Sequence, residues 1–128
     1  MDARAEYRIL RNLSGMSSRE IAREFDFNVR TVQRWETDYL PPDHVLEYLR
    51  DIVSSDTAWV AEMMERAEID DGVVRLSMYR VGRAYYESMG GRDDVLPVER
   101  YRARVYRLVS ALMVAGYEVD IEYVPEVW

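Results

Sequence analysis

Between Gly15 and Glu36 the chain carries helix stop and start signals so closely spaced that only two short helices joined by a tight turn fit between them. Gly15 ends a first helix that reads from Arg4 to Leu13, with Tyr7 and Leu10 among its core candidates. Ser17-Ser18-Arg19-Glu20 then has capping-box spacing, in which the Ser17 hydroxyl takes a backbone N–H and Glu20 reaches back. The helix it starts runs through Phe25. Asp26-Phe27-Asn28 is a turn, and Asn28 can cap a third helix reaching to about Thr37. Two short helices so joined must cross steeply. Ala22 permits the close approach, while Ile21, Phe25, Phe27, Val32 and Trp35 fill the junction. The later helix is left with its N-terminal end and one polar face outward.

Downstream, Pro41-Pro42-Asp43 breaks the chain before a fourth helix with Val45, Leu49 and Ile52 on one face. Ser54-Ser55-Asp56 reads as a separator from a fifth helix over 57–68, where Trp59, Met63 and Ala67 share a face. After Asp70-Asp71-Gly72 the period changes. Val74, Leu76 and Met78 alternate with Val73, Arg75 and Ser77, as in a half-buried strand. A short helix is expected from Val81 to Met89, ended by Gly90-Gly91. Pro97 opens the longest of the later helices, with Tyr101, Val105, Leu108 and Leu112 in register and Gly116 just past its end. Tyr117, Val119, Ile121 and Tyr123 alternate with Glu118, Asp120 and Glu122 in a last strand. The expected fold is α+β, mainly α: a five-helix head, with four helices over 1–55 on which the fifth, over 57–68, is free to pack, then a β-α-α-β lobe over 69–128.

Composition excludes more than it selects. The absence of cysteine removes disulfides, thiol chemistry and cysteine-based zinc sites. His44 is the one histidine, so a catalytic triad or a multi-histidine metal site would have to be built around it alone. Beside Asp43 at a helix start, it reads as an exposed surface residue. Glu118, Asp120 and Glu122 share one strand face, and a solvated outer face explains them better than a metal site. No nucleophile–base pair or phosphate-cradling loop is visible, so no catalytic residue, metal or cofactor is assigned. No apolar run approaches the ~20 residues of a membrane span, and no signal-like stretch opens the chain, so the expected compartment is cytoplasmic. The net charge is −7. Up to Ser55 there are eight arginines against ten acidic residues, and beyond it nine against fourteen. Any affinity for a polyanion must therefore come from a local basic face.

The segment from Gly15 to Glu36 resembles the Cro/C1-type helix-turn-helix, with small, apolar and Trp-Glu positions in register over roughly residues 7–53. The wider pattern is similar to the YdiL-like family: Trp35-Glu36, then Pro42-Asp43-His44-Val45, then an extension with a helix from Val98 to Ala115. Asp26 stands where the family has its turn glycine, and Ser18 where it has a glutamine. The resemblance implies a DNA-binding head and a sequence-specific transcriptional regulator. By position it directs Val29, Arg30, Gln33 and Arg34 to base edges, and places Ser18, Arg19, Asn28 and Thr37 near phosphates. The side-chain chemistry suits this, since arginine pairs with guanine and glutamine with adenine. It also pairs Arg11 with Glu36 in a structural salt bridge. The expected partners are double-stranded DNA, on a palindromic site, and a second copy of the chain. Dimerisation is assigned to the C-terminal lobe, whose small sheet leaves edges unpaired and whose long helix carries Val109 and Met113 beside its main stripe. The overall acidity keeps a second reading open, a protein-interaction module that retains the helix-turn-helix as scaffold.

Overall fold

The computed structural model describes residues 1–80, 82–90 and 96–125; these are mainly helical, with six helices and a small three-stranded sheet. The chain divides into two compact units, Met1–Ala58 and Trp59–Trp128.

In the first unit the punctuation residues set the helix ends. Helix α1 spans Ala3–Ser14; Asp2 caps it through Arg4 N–H at 2.9 Å, and Gly15 closes it at φ +75°. Helix α2 spans Ser18–Phe25 behind a complete capping box: Glu20 N–H donates to Ser17 Oγ at 3.1 Å, and Ser17 N–H to Glu20 Oε1 at 3.0 Å. Asp26 then adopts the left-handed conformation, φ 57° and ψ 48°, which turns the chain into α3, Val29–Arg34. Helix α3 is shorter than the expected end near Thr37. The Arg34 carbonyl accepts N–H groups from Thr37, Asp38 and Tyr39 at 3.1, 2.9 and 3.0 Å, and that convergence ends the helical ladder. Tyr7, Ile21, Val32, Trp35, Val45 and Leu49 form the core, with Phe25, Phe27 and Val29 packed around it.

Helix α4 corrects the expected break. It runs without interruption over Asp43–Arg66, so Ser54-Ser55-Asp56 do not separate two helices, and the change from one compact unit to the next falls within it, between Ala58 and Trp59. Serine and aspartate favour helix ends only when their side chains compete for backbone groups there. The adjoining Thr57 Oγ1 donates to the Val53 carbonyl at 3.0 Å, one turn back within the helix. Asp56 is fully buried, in step with Ile52, Val60 and Met63. The polar residue read as a separator therefore lies on the buried stripe. Residues Trp59, Val60, Met63, Met64 and Ala67 belong to the core of the second unit.

That unit is β-β-α-α-β, one strand more than expected. Strand β1 (Ile69–Asp70) pairs antiparallel with β2 (Val73–Met78) through Asp71 and Gly72, at φ 51° and 80°. Asp-Gly is the dipeptide that a two-residue hairpin turn of this hand requires. Strand β3 (Glu118–Tyr123) lies parallel to β2, and helices α5 (Gly82–Ser88) and α6 (Val98–Val114) supply the connection that parallel pairing needs. Val81 and Gly91, expected at the two ends of α5, lie outside the described residues. Gly116, at φ +94°, closes α6, with Tyr117 N–H on the Leu112 carbonyl at 3.1 Å. Val60, Val74, Leu108 and Leu112 make the core. Beside it Tyr85 stacks on Tyr101 at 4.8 Å, and its hydroxyl donates to the Leu96 carbonyl at 2.8 Å. On the outer face Arg75 stands between Asp70 and Asp120, at 3.4 and 3.8 Å. The inner face of β3 is only partly covered: Val119 packs, while Ile121 and Tyr123 remain 40% and 57% exposed. No helix among the described residues is long and apolar enough to cross a membrane.

The left-handed Asp26 gives a stability test. Glycine adopts this conformation without a Cβ penalty, so Asp26→Gly should raise stability by roughly 1 kcal/mol. Asp26→Val should lower it by more, because a β-branched residue is a genuine outlier there. Thermal melts of the two variants followed by circular dichroism check the order; a glycine variant that melts below the wild type contradicts it.

Candidate functional site

Three local devices present α3. Asn28 caps it, its Oδ1 accepting Arg30 N–H at 2.8 Å. Val32 and Trp35 anchor its inner side and are buried to 0% and 3% exposure. Trp35 is held edge-on by two rings, Tyr7 at 5.6 Å and Phe27 at 4.9 Å. With the inner side pinned, the remaining positions face outward: Arg30, Gln33 and Arg34 are all exposed.

The outward residues differ in what they are free to do. Arg30, Gln33 and, on α2, Arg19 and Arg23 make no side-chain hydrogen bond or ion pair among the described residues. Arg34 is committed instead. Its guanidinium lies 4.7 Å over the Tyr39 ring, donates to the Tyr39 hydroxyl at 3.1 Å and approaches Asp38 at 3.5 Å. Val29 is half-buried and packed on the core. Of the positions matched to phosphates, Ser18 opens α2 half-buried and Arg19 follows it exposed. Asn28 has its carbonyl oxygen occupied by the cap, and the Thr37 carbonyl accepts from Arg4 Nη1 at 2.9 Å. The chain thus brings Arg30 and Gln33 one turn apart on α3 and leaves their ends open. The Arg34 clamp was not foreseen from sequence. Its signals are modest: an acidic residue four positions on and an aromatic five positions on.

Behind this face α1 is tied to the end of α3 by an ion pair. Arg11 Nε donates to Glu36 Oε1 at 2.6 Å, with the two side chains 22% and 19% exposed. The turn between α1 and α2 is fixed by buried Ser14, which donates to the Arg11 carbonyl at 2.7 Å and accepts Met16 N–H at 3.2 Å. Beneath the pair, the buried Tyr7 hydroxyl has no hydrogen-bond partner among the described residues. Burial, reinforced by the Glu36 charge and opposed by Arg11, pushes the Tyr7 phenol up to about 12. His44 is exposed, its ring edge-on to Phe25 at 5.4 Å. Among the described residues no three acidic or histidine side chains form a group that could hold a metal ion.

Neither protein-family models nor curated proteins include a match to this chain.

Two measurements test the tie. A half-buried pair should lie between the ~0–1 kcal/mol of an exposed one and the ~3–5 lost on breaking a buried one. Glu36→Gln is therefore expected to cost about 2 kcal/mol by urea denaturation; an unchanged midpoint would show the pair to be superficial. Tyr7 adds an alkaline limit. Its proton is held more tightly folded than unfolded, so its contribution is complete below pH 10 and is lost as the pH rises towards 12. Stability measured at pH 8 and pH 11 should fall less for Tyr7→Phe than for the wild type. At pH 8 the variant should be at least as stable, because it removes a buried, unpaired hydroxyl.

Proposed function

We propose that the chain is a sequence-specific DNA-binding regulator of the Cro/C1 helix-turn-helix kind, acting as a homodimer on an approximately palindromic duplex. The observation that carries the reading is the uncommitted Arg30–Gln33 edge of α3. A guanidinium fork and a carboxamide, one turn apart and with no carboxylate among the described residues to hold them, suit guanine O6/N7 and adenine N6/N7 at neighbouring base pairs. Arg19 and Arg23, exposed on α2, are suited to the flanking phosphates, which position a protein without reading sequence. Arg34, folded on Tyr39 and Asp38, contributes least to base reading, and Val29 offers at most a small apolar surface. A symmetric dimer reads half-sites about one helical turn, ~10 bp, apart.

The net charge of −7 favours one other reading, a protein-interaction module that keeps the same two-helix scaffold. Selection of bound sequences from a random duplex library separates them. Enrichment of a palindrome supports the regulator; no enrichment, with every duplex bound equally weakly, supports the module. On the enriched site Arg30→Ala should cost ~1–3 kcal/mol and relax the preference at one base pair, whereas Arg19→Ala should weaken all duplexes alike. Arg34→Ala should change discrimination less than Arg30→Ala. Few arginines are available, so affinity should fall gently with salt, with a slope on the order of −0.9 per neutralised phosphate.

A further inference from the structure

The second unit leaves an apolar strip uncovered where a larger sheet would have another layer. Helix α6 turns Val105, Leu108 and Leu112 inward, and alongside them runs a second stripe of Tyr106, Val109 and Met113. Tyr106 and Met113 are 57% and 62% exposed, and Ile121 and Tyr123 on β3 continue the same apolar surface. Two adjoining depressions, of about 540 and 610 Å³, share Val109, Met113 and Ile121 as lining. Single exposed hydrophobics are ordinary, but a contiguous strip between a helix and an edge strand marks an interaction surface.

We propose that this strip is covered by a second copy of the chain, with α6 packed antiparallel on the partner's α6 about a two-fold axis at Val109 and Ser110. The inference rests on the homodimer of the preceding reading and gives it an interface. Its first support is the spacing. Arg102, Tyr106, Val109 and Met113 repeat at intervals of four, three and four, the seam of two helices packed at a shallow angle. Tyr106 and Met113 are equidistant from the midpoint between 109 and 110, so an antiparallel two-fold sets each Tyr106 against the partner's Met113. Ser110, small and exposed, lets the helices approach at the crossing.

The second support is charge. The first half of α6 carries Arg102, whose one described hydrogen bond is to the Arg80 carbonyl at 2.8 Å, leaving most of its five donors for another acceptor. The strand after α6 carries Glu118, Asp120 and Glu122 on its outer side. An antiparallel pair brings Arg102 of each copy to the C-terminal end of the partner's α6, where the negative end of the helix dipole favours a cation. The competing arrangement, edge pairing of β3 with itself, sets these three carboxylates opposite their own copies on one face. Like charges directly opposite are destabilising, and charged edges are a known guard against such pairing.

The chain has no cysteine, so single cysteines report proximity cleanly. Ser110→Cys and Asp120→Cys, oxidised or treated with a short bismaleimide at low micromolar concentration, distinguish the arrangements. Covalent dimer from Ser110→Cys and not from Asp120→Cys is the expected result. Met113→Asp should weaken the dimer at least about tenfold in light scattering while leaving the helical circular dichroism unchanged. The reverse cross-linking pattern overturns the proposal in favour of edge pairing. If neither variant cross-links while the wild type remains dimeric, this interface is wrong and the homodimeric regulator stands. A monomeric wild type removes both the interface and the homodimer, and the duplex selection still decides whether DNA is bound.

Discussion

The edge-on packing of Trp35 between Tyr7 and Phe27 is the contact on which the first unit depends. Helix α3 spans only Val29–Arg34, too short to hold its own shape in water, where isolated helices below ~12–15 residues are marginal. Its conformation is imposed from outside, by burial of Val32 and Trp35 and by the Asn28 cap. Because aromatic rings prefer this edge-to-face geometry, the three rings specify an orientation as well as a depth. The Arg11–Glu36 pair fastens the same junction from the polar side. Which residues α3 presents outward follows from how these two contacts rotate it.

The distribution of arginines matters more than the net charge. Arg4 and Arg50 are engaged by Asp2 and Glu6, Arg11 by Glu36, and Arg34 by Asp38 and Tyr39. Among the described residues, those on α2 and in the middle of α3 make no such contact. An acidic chain can present a locally basic edge when its carboxylates are spent on other arginines, and on the proposed reading that edge meets the duplex. The same allocation explains why Arg34, next to Gln33 in sequence, is not its equal in the proposed site.

The second unit is organised by a shortage of layers. Three strands, one of them only Ile69–Asp70, give a sheet that α6 covers in part. Its inner face is well packed at Val74 and open at Ile121 and Tyr123. Small sheets of this kind become stable by packing against a further surface. The acidic outer row of β3 turns the edge away from pairing, which directs the proposed contact to the helix side.

Much of the first unit was legible in the residues themselves, because caps and turns act over two to four positions. The Ser17–Glu20 box, the Gly15 and Asp26 turns and the Asn28 cap act locally and stand where the sequence placed them. Alternation likewise marked β2, β3 and the inward stripe of α6. Three features were decided by tertiary structure alone. Helix α4 passes through Ser54-Ser55-Asp56 because burial of the apolar residues in step on either side, Ile52, Val60 and Met63, outweighs the local preference of serine and aspartate for a helix end. Strand β1 exists because Ile69 and Asp70 find partners in Val74 and Val73 of β2 across the Asp71-Gly72 turn, and two residues of strand pattern could not announce that pairing. Whether an exposed arginine is open or clamped, as Arg30 and Arg34 divide, depends on which side chains the fold brings to its guanidinium, and a pattern of residue types does not encode that distance.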